Sequence, residues 1–130
     1  MSLKDQHISV DPTKSELEIL QVLWDNGPLT VREVNSELLK QREVNYTTTL
    51  KQMQLLADKG MLSRDERPMK HIYSAAVEEQ PVKAQLLKKF VDSTYKGSAS
   101  KLVLQLLGNE NTSRQELQDI KDMIKKLKEE

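Results

Sequence analysis

Six polar side chains in residues 45–60 could recognise another molecule, because they carry short hydrogen-bonding groups at helical spacing. They are Asn45, Thr47, Thr48, Lys51, Gln52 and Gln54. At about 100° per residue Thr47, Thr48, Lys51 and Gln52 fall on one side of a helix, with Gln54 at one margin and Asn45 at the start of the helix. Such groups reach base edges and phosphates in the major groove of DNA. The alternative is a polar helix in a small helical domain, and this stretch alone does not decide between the two.

The opposite side of the same stretch can be buried in a fold. Its apolar and small residues are Tyr46, Thr49, Leu50, Met53, Leu56 and Ala57. Asn45 suits the N-cap of a helix, and Gly60 suits the left-handed position at which a helix ends. The sequence therefore predicts one amphipathic helix over residues 45–59, which we call the recognition helix.

Two capping boxes predict two further helices before the recognition helix. Thr13 with Glu16 begins the first helix, which the run 26–28 (Asn-Gly-Pro) ends, and Thr30 with Glu33 begins the second. Their apolar stripes are Leu17, Leu20, Leu23 and Trp24 in the first helix, then Val31, Val34 and Leu38 in the second. Three helices with a short polar connection before the third predict a helix-turn-helix arrangement.

A basic hairpin is predicted directly after the recognition helix. Residues 61–64 and 71–75 have the pattern of two short strands. Its basic side chains are Arg64, Arg67 and Lys70. They would contact phosphates and fix the register on DNA without reading the base sequence. A helix-turn-helix followed by such a hairpin is a winged helix, and the combination is more specific than either part.

The patterns divide the chain into three predicted regions. Residues 1–12 lack periodicity and form a flexible arm, residues 13–78 form the winged-helix DNA-binding domain, and residues 79–130 form a helical dimerisation domain. The predicted fold class is mainly α with a small β-hairpin. Leu29 is expected to be a single extended residue between the first two helices.

The last region has three helical patterns, at about 81–95, 99–107 and 114–128, and no partner layer of its own. Their apolar residues are Leu86, Phe90, Leu102, Val103, Leu106, Leu107, Leu117, Ile120, Ile124 and Leu127. A core of fewer than about 70–80 residues rarely suffices alone, so this stripe predicts a homodimer. Two-fold pairing would present two recognition helices to the half-sites of a palindromic operator. The alternative is that these helices pack back onto the winged part of the same chain.

Composition excludes several classes of protein. The chain has no cysteine and only two histidines, His7 and His71, and it lacks glycine-rich phosphate loops and nucleophile motifs. We therefore expect no enzyme activity, no cofactor and no bound metal. No apolar run approaches the roughly 20 residues of a membrane span, and the amino terminus lacks the apolar core of a signal peptide. A cytoplasmic protein without membrane contact is expected.

Charge leaves one functional alternative open. The formal net charge is zero, which over the whole chain counts against nucleic acid as a partner. Residues 1–39 are acidic, but residues 40–73 carry seven basic against four acidic side chains. A phosphate backbone responds to such a local excess within about 8–10 Å. The alternative is a winged-helix module that binds protein, whose affinity would respond little to salt, whereas binding to double-stranded DNA would weaken steeply.

Several of these segments together resemble the family of penicillinase repressors and copper-responsive repressors. The matching pieces are Leu17-Glu18-Ile19-Leu20, Leu23-Trp24, Tyr46-Thr47-Thr48, Lys59-Gly60, Gly97-Ser98 and Leu102-Val103. The resemblance covers roughly residues 10 to 128. It implies a dimeric winged-helix repressor that binds a palindrome. By matched position it implies DNA contacts at Thr47, Thr48, Leu50 and Lys51, although the helical wheel places Leu50 towards the core. Wing contacts are implied near Arg67 and Lys70.

Three departures from the family pattern limit what the resemblance implies. Many relatives have arginine where this chain has Leu55, so one phosphate contact is replaced by a side chain that could touch a thymine methyl. The resemblance implies a regulatory protease that cuts an Asn-Phe bond, and Gln105-Leu106 stands there instead. The copper-responsive branch binds metal through paired cysteines that this chain lacks. Copper sensing by that motif is therefore excluded.

Overall fold

The computed structural model describes residues 11–65, 71–108 and 113–128. In those ranges the elements are α1 (Lys14–Asn26), β1 (Leu29–Thr30), α2 (Val31–Leu39), α3 (Tyr46–Asp58), β2 (Leu62–Asp65), β3 (Ile72–Ala75), α4 (Glu79–Thr94), α5 (Ala99–Leu107) and α6 (Arg114–Lys128). The predicted fold class is confirmed: the protein is mainly α-helical, with a winged helix-turn-helix ahead of further helices. Residues 1–10 of the predicted arm lie outside the described ranges.

Both predicted capping boxes are present and determine where α1 and α2 begin. The Thr13 hydroxyl accepts from the backbone N–H of Glu16 at 3.2 Å, and the Glu16 carboxylate accepts from the N–H of Thr13 at 3.0 Å. Thr30 and Glu33 make the same reciprocal pair at 3.2 and 2.9 Å. Each box satisfies N–H groups that the first turn of a helix leaves without a partner.

The small sheet has three antiparallel strands in the order β1-β3-β2. Leu29 pairs with Tyr73 across β1 and β3, and Arg64 pairs with Tyr73 across β2 and β3. The sequence predicted a two-stranded hairpin with Leu29 as a single extended residue, so β1 is an addition to that prediction. Its pairing joins residues distant in sequence and leaves no local pattern, which is why periodicity does not reveal it.

The core of the winged part is formed by one apolar cluster that α1, α2, α3 and the sheet share. Its buried members are Ile19, Leu20, Val22, Leu23, Val31, Val34, Leu38, Met53, Leu56, Met61, Leu62 and Tyr73. Burial of such side chains contributes about 1.5–3 kcal/mol each before entropy costs. The cluster holds one face of α3 against the fold and leaves the other face outside.

The chain divides into two compact units, residues 1–86 and residues 87–130, and α4 runs through the division. In the second unit, Ser98 caps α5 by accepting from the N–H of Lys101 at 3.3 Å, and Phe90 packs edge-on against Tyr95. The predicted boundaries after residues 12 and 78 remain predictions. Within the described ranges, no helix has both the length and the apolar character needed to cross a membrane.

The ten residues predicted for dimerisation share incomplete burial within this chain. Leu86, Leu102, Val103, Leu117 and Ile120 are half-buried, and Phe90, Leu106, Leu107, Ile124 and Leu127 are exposed. Leu127 is 70% exposed and Phe90 is 48% exposed. Large apolar side chains that are this exposed to solvent indicate a surface that packs against a partner.

Candidate nucleic-acid interface

Helix α3 is defined at both ends by the residues that the sequence singled out. The Asn45 side chain accepts from the backbone N–H of Thr48 at 2.9 Å and caps the amino end. Gly60 follows the carboxyl end with φ +83°, a left-handed conformation that glycine adopts without steric cost. The N–H of Met61 then donates to the carbonyl of Leu56 at 2.9 Å. These caps fix the length of the recognition helix.

Burial along α3 separates an inner from an outer face. Thr49, Met53 and Leu56 are buried, and Leu50 and Ala57 are half-buried against the core. The residues exposed on α3 are Tyr46, Thr47, Thr48, Lys51, Gln54, Leu55 and Asp58. Of the predicted DNA-contacting residues, Thr47, Thr48, Lys51 and Gln54 therefore lie together on the outer face, with the N-cap Asn45 also exposed.

Gln52 differs from the rest of the predicted contact set. It is half-buried at the margin of the core, and its amide oxygen is buried without a hydrogen-bond partner among the described residues. The helical wheel grouped it with Thr48 and Lys51 because 240° from Tyr46 lies near both the polar and the inner side. A base contact by Gln52 would require its side chain to leave this position.

Tyr46 also departs from the position that periodicity gave it. The wheel grouped Tyr46 with the apolar side, but the residue is 41% exposed. Its ring lies 5.3 Å from the guanidinium carbon of Arg32 on α2, within the range of a cation–π contact. This contact holds Arg32 beside the amino end of the recognition helix.

An open groove adjoins the outer face of α3 and is bordered by basic side chains. Arg32 from α2, Arg64 from β2 and His71 before β3 line it together with Gln54 of α3. None of the described residues that line the groove carries a carboxylate. Arg67 and Lys70, the other predicted wing contacts, lie outside the described residues. The described part of the wing therefore contributes Arg64, which is exposed on β2.

Arg32 was not among the sequence-predicted contacts, although a signal for it existed. It is the second residue of α2, in the first turn, where the positive end of the helix dipole disfavours a cation. The Arg32 charge therefore does not stabilise α2 through the dipole, which suggests that it contacts a group outside the helix. The overall acidity of residues 1–39 concealed this local feature.

A second polar contact holds the far end of α3. Lys59, which follows α3, donates to both carboxylate oxygens of Glu16 on α1, at 3.0 and 2.8 Å. Glu16 is only 4% exposed, and it also accepts from the backbone of Thr13. One carboxylate therefore joins the start of α1 to the end of the recognition helix.

Replacing Glu16 with glutamine should lower the free energy of unfolding at pH 7. It should also reduce the loss of that free energy as the pH falls. Burial raises the pKa of Glu16, but the hydrogen bonds from Lys59 and Thr13 outweigh burial and hold the pKa below its ordinary value of 4.5. A carboxyl with a depressed pKa contributes stability that is present above the unfolded-state pKa. That stability is lost as pH falls through the folded-state pKa. We expect the free energy of unfolding of Glu16→Gln to be lower by about 1–2 kcal/mol at pH 7.

Urea unfolding between pH 7 and pH 3 measures this effect. The matched control is Glu18→Gln, since Glu18 lies on the same helix and pairs with Arg42 at the surface at 2.8 Å. The control should lose less stability at pH 7 than Glu16→Gln, because the Glu18–Arg42 pair lies at the surface. An E16Q protein that loses as much stability as the parent on acidification would contradict the assignment.

Comparison with known proteins identifies the family. The sequence model of the penicillinase repressor family matches residues 12–126. The chain belongs to the penicillinase repressor family. The penicillinase repressor of Staphylococcus aureus is 24% identical over 115 residues, which cover 88% of this chain and 91% of that protein. The methicillin resistance regulatory protein MecI of Mammaliicoccus sciuri is 25% identical over 114 residues, covering 88% of this chain and 93% of that protein.

A solved structure is also similar to part of this penicillinase repressor family member. It is the solution structure of the monomeric form of Bacillus licheniformis BlaI in complex with the blaP half-operator, with a TM-score of 0.48 and 25% identity. The match covers 55% of this chain and 87% of that chain. Membership of the penicillinase repressor family confirms the resemblance noted from the sequence. The protein is a DNA-binding transcriptional repressor and not an enzyme.

Proposed function

We propose that this repressor acts as a homodimer on a two-fold symmetric DNA operator. Each protomer inserts the outer face of α3 into the major groove of one half-site, and the wing contacts phosphates. The observation that carries the proposal is the side-by-side exposure of Thr47, Thr48 and Lys51 on a helix whose other face is locked in the core. Hydroxyls and an ammonium group on a rigid helix suit base edges and phosphates.

Leu55 adds a specific expectation to this proposal. It is 45% exposed on the outer face of α3, at the position where the resemblance noted from the sequence implies arginine. An apolar side chain in the major groove contacts the methyl group of thymine favourably, whereas arginine would bind a phosphate or guanine. The preferred half-site should therefore contain a thymine opposite Leu55.

The homodimer is supported by the apolar side chains of α4, α5 and α6. Charged side chains are otherwise abundant in these helices, yet large apolar side chains such as Phe90, Leu106 and Ile124 are exposed there as an apolar surface. A second copy of the chain offers the same surface, and a two-fold axis makes such a surface self-complementary. The two recognition helices would then bind half-sites about one helical turn, 34–36 Å, apart.

The basic groove extends the proposed interface beyond α3. Arg32 on α2, Arg64 on β2 and His71 just before β3 border it, directly beside Gln54 on the outer face. A DNA strand that leaves the major groove carries its phosphates past the edge of the recognition helix. We therefore add Arg32 to the phosphate contacts proposed for Arg64, Arg67 and Lys70.

Replacing Arg32 with alanine should weaken binding to all duplexes alike and flatten its salt dependence. Loss of one phosphate contact lowers the slope of log affinity against log salt by about one unit per protomer. Fluorescence anisotropy on one duplex over a salt series measures the slope. Arg114→Ala, which removes the same side chain from the start of α6, should keep the slope of the parent. Equal slopes for R32A and the parent would remove Arg32 from the interface.

The proposed function is tested by selecting duplexes from a random pool with the purified chain in dilute buffer. We expect a two-fold symmetric consensus sequence. The affinity for it should fall steeply as salt rises. Selection of no sequence above background would overturn the proposal.

The regulatory protease implied by the resemblance and the cytoplasmic location stay predictions. Exposing the repressor to candidate proteases and mapping the cut relative to Gln105-Leu106 tests the former.

A further inference from the structure

A buried polar pair joins the two helices of the helix-turn-helix. The hydroxyl of Thr49 on α3 donates to the side-chain oxygen of Asn35 on α2 at 2.6 Å. Thr49 is 0% exposed and Asn35 is 9% exposed. The surrounding cluster is apolar, with Val34 and Leu38 from α2 and Met53 from α3. Neither residue was singled out from the sequence as a polar contact.

A pair of this kind constrains the rotation of α3 more strongly than apolar packing does. Hydrocarbon side chains can repack with little loss when a helix rolls, because dispersion contacts are not directional. A buried hydroxyl has a single hydrogen to donate, and moving Thr49 away from Asn35 loses this bond and leaves the Asn35 side-chain oxygen without its buried donor. Turning α3 by one residue, about 100°, would carry the Thr49 hydroxyl out of the α2 interface.

The inward position of Thr49 determines which side chains of α3 point outward. Thr48 precedes it, and the backbone N–H of Thr48 is held by the Asn45 cap at 2.9 Å. Thr47 and Lys51 lie two residues to either side, about 200° around the helix from Thr49, and both are exposed. The Asn35–Thr49 bond and the outer face are thus opposite sides of the same turns.

We propose that Asn35 and Thr49 are positioning residues that set the rotation of the recognition helix and thereby sequence discrimination. This inference rests on the proposed function, in which α3 reads bases. Base contacts need accurate placement of side chains, whereas phosphate contacts are shared by every sequence. Loss of the pair should therefore reduce the preference for the operator and leave non-specific binding almost unchanged.

The test compares affinities for the selected operator and for a scrambled duplex of equal length. Thr49→Val keeps the shape of the side chain and removes the hydroxyl, and Thr49→Ser keeps the hydroxyl. We expect T49V to bind the operator about 10-fold more weakly, in the range of one mismatched base pair per site, and the scrambled duplex within about 2-fold of the parent. T49S should keep the operator preference of the parent to within about 3-fold.

Two further variants separate positioning from stability. Ile19→Val makes a small core loss on α1 that leaves both partners of the Asn35–Thr49 hydrogen bond in place, and Ile19 is fully buried. It should lower stability and keep the operator preference. The double variant N35L/T49V replaces both polar partners by apolar groups, which can leave stability nearly unchanged. It should unfold in urea close to the parent and still show the reduced operator preference.

The outcomes distinguish this inference from the proposed function. A T49V or N35L/T49V protein that keeps the operator preference of the parent overturns the positioning role alone. So does an I19V protein that loses as much preference as T49V, since stability would then explain the effect. A parent that binds no duplex preferentially overturns both the proposed function and this inference.

Discussion

Replacing Leu106 with glutamate is expected to yield a monomer and to weaken operator binding by about 10²–10⁴-fold. Leu106 is 43% exposed on α5, so the isolated chain should tolerate the charge. In a two-fold interface the same carboxylate would be buried twice without a partner, which costs several kcal/mol. Separation of the protomers removes the gain in affinity that comes from linking two half-site contacts. Such a gain is about 10²–10⁴-fold.

The same helix provides a matched control for Leu106→Glu. Leu104 lies two residues earlier, about 200° around α5, and is 68% exposed. It was not predicted for dimerisation, so L104E should remain a dimer by sedimentation at micromolar concentration and should bind the operator as the parent does. Dissociation of L104E with an intact L106E dimer would move the interface to the other side of α5. A parent that sediments as a monomer would contradict the dimer itself.

The double substitution T48A/K51A should reduce operator affinity by at least about 10³-fold without changing dimerisation or stability. Both side chains are exposed on α3, opposite the buried Met53, so their removal leaves the core intact. Each contact to a base or phosphate contributes about 1–3 kcal/mol, and the dimer would lose every contact twice. The loss of Lys51 should also lower the salt slope by about one unit per protomer.

Band-shift titration with the selected operator measures this loss, and urea unfolding checks that the fold is unchanged. Lys14→Ala serves as the control because it removes an exposed lysine from α1. Its operator affinity should stay within about 2-fold of the parent, as expected of a surface change away from the interface. If T48A/K51A binds as tightly as the parent, the outer face of α3 is not the recognition surface.

Helix ends were predictable from this sequence because their signals are local. Thr13 with Glu16 and Thr30 with Glu33 specify reciprocal hydrogen bonds within four residues, and both boxes are formed in the structure. Asn45 and Gly60 bound the recognition helix for the same reason. The alternation of burial along α3 followed from a period of 3.6 residues, which needs no knowledge of the rest of the fold.

Contacts between distant segments were not predictable in the same way. The pairing of Leu29 with Tyr73, which adds β1 to the sheet, has no signal in either segment alone. The Asn35–Thr49 bond is also hidden, because threonine and asparagine on a stripe of apolar residues are equally compatible with solvent contact. Tyr46 shows the opposite effect: its hydrophobic character suggested burial, but Arg32 offers its ring a partner at the surface.

Positions near the boundary between two helix faces were the weakest part of the site prediction. Gln52 lies where a small rotation of α3 decides between solvent and core, and the packing of the whole cluster sets that rotation. Periodicity fixes relative angles along one helix but not the absolute rotation of that helix in the fold. The same limit applies to the dimer surface, because periodicity does not show how two copies of the chain pack together.

The number of chains bound to the selected operator tests the central claim most directly. Equilibrium sedimentation of the labelled duplex with excess protein, repeated at low and high salt, gives stoichiometry and affinity together. We expect two chains on the full operator, one chain on a single half-site with much weaker affinity, and dissociation of both complexes as salt rises. Saturation of the full operator by one chain, or no complex with any duplex in dilute buffer, would contradict it.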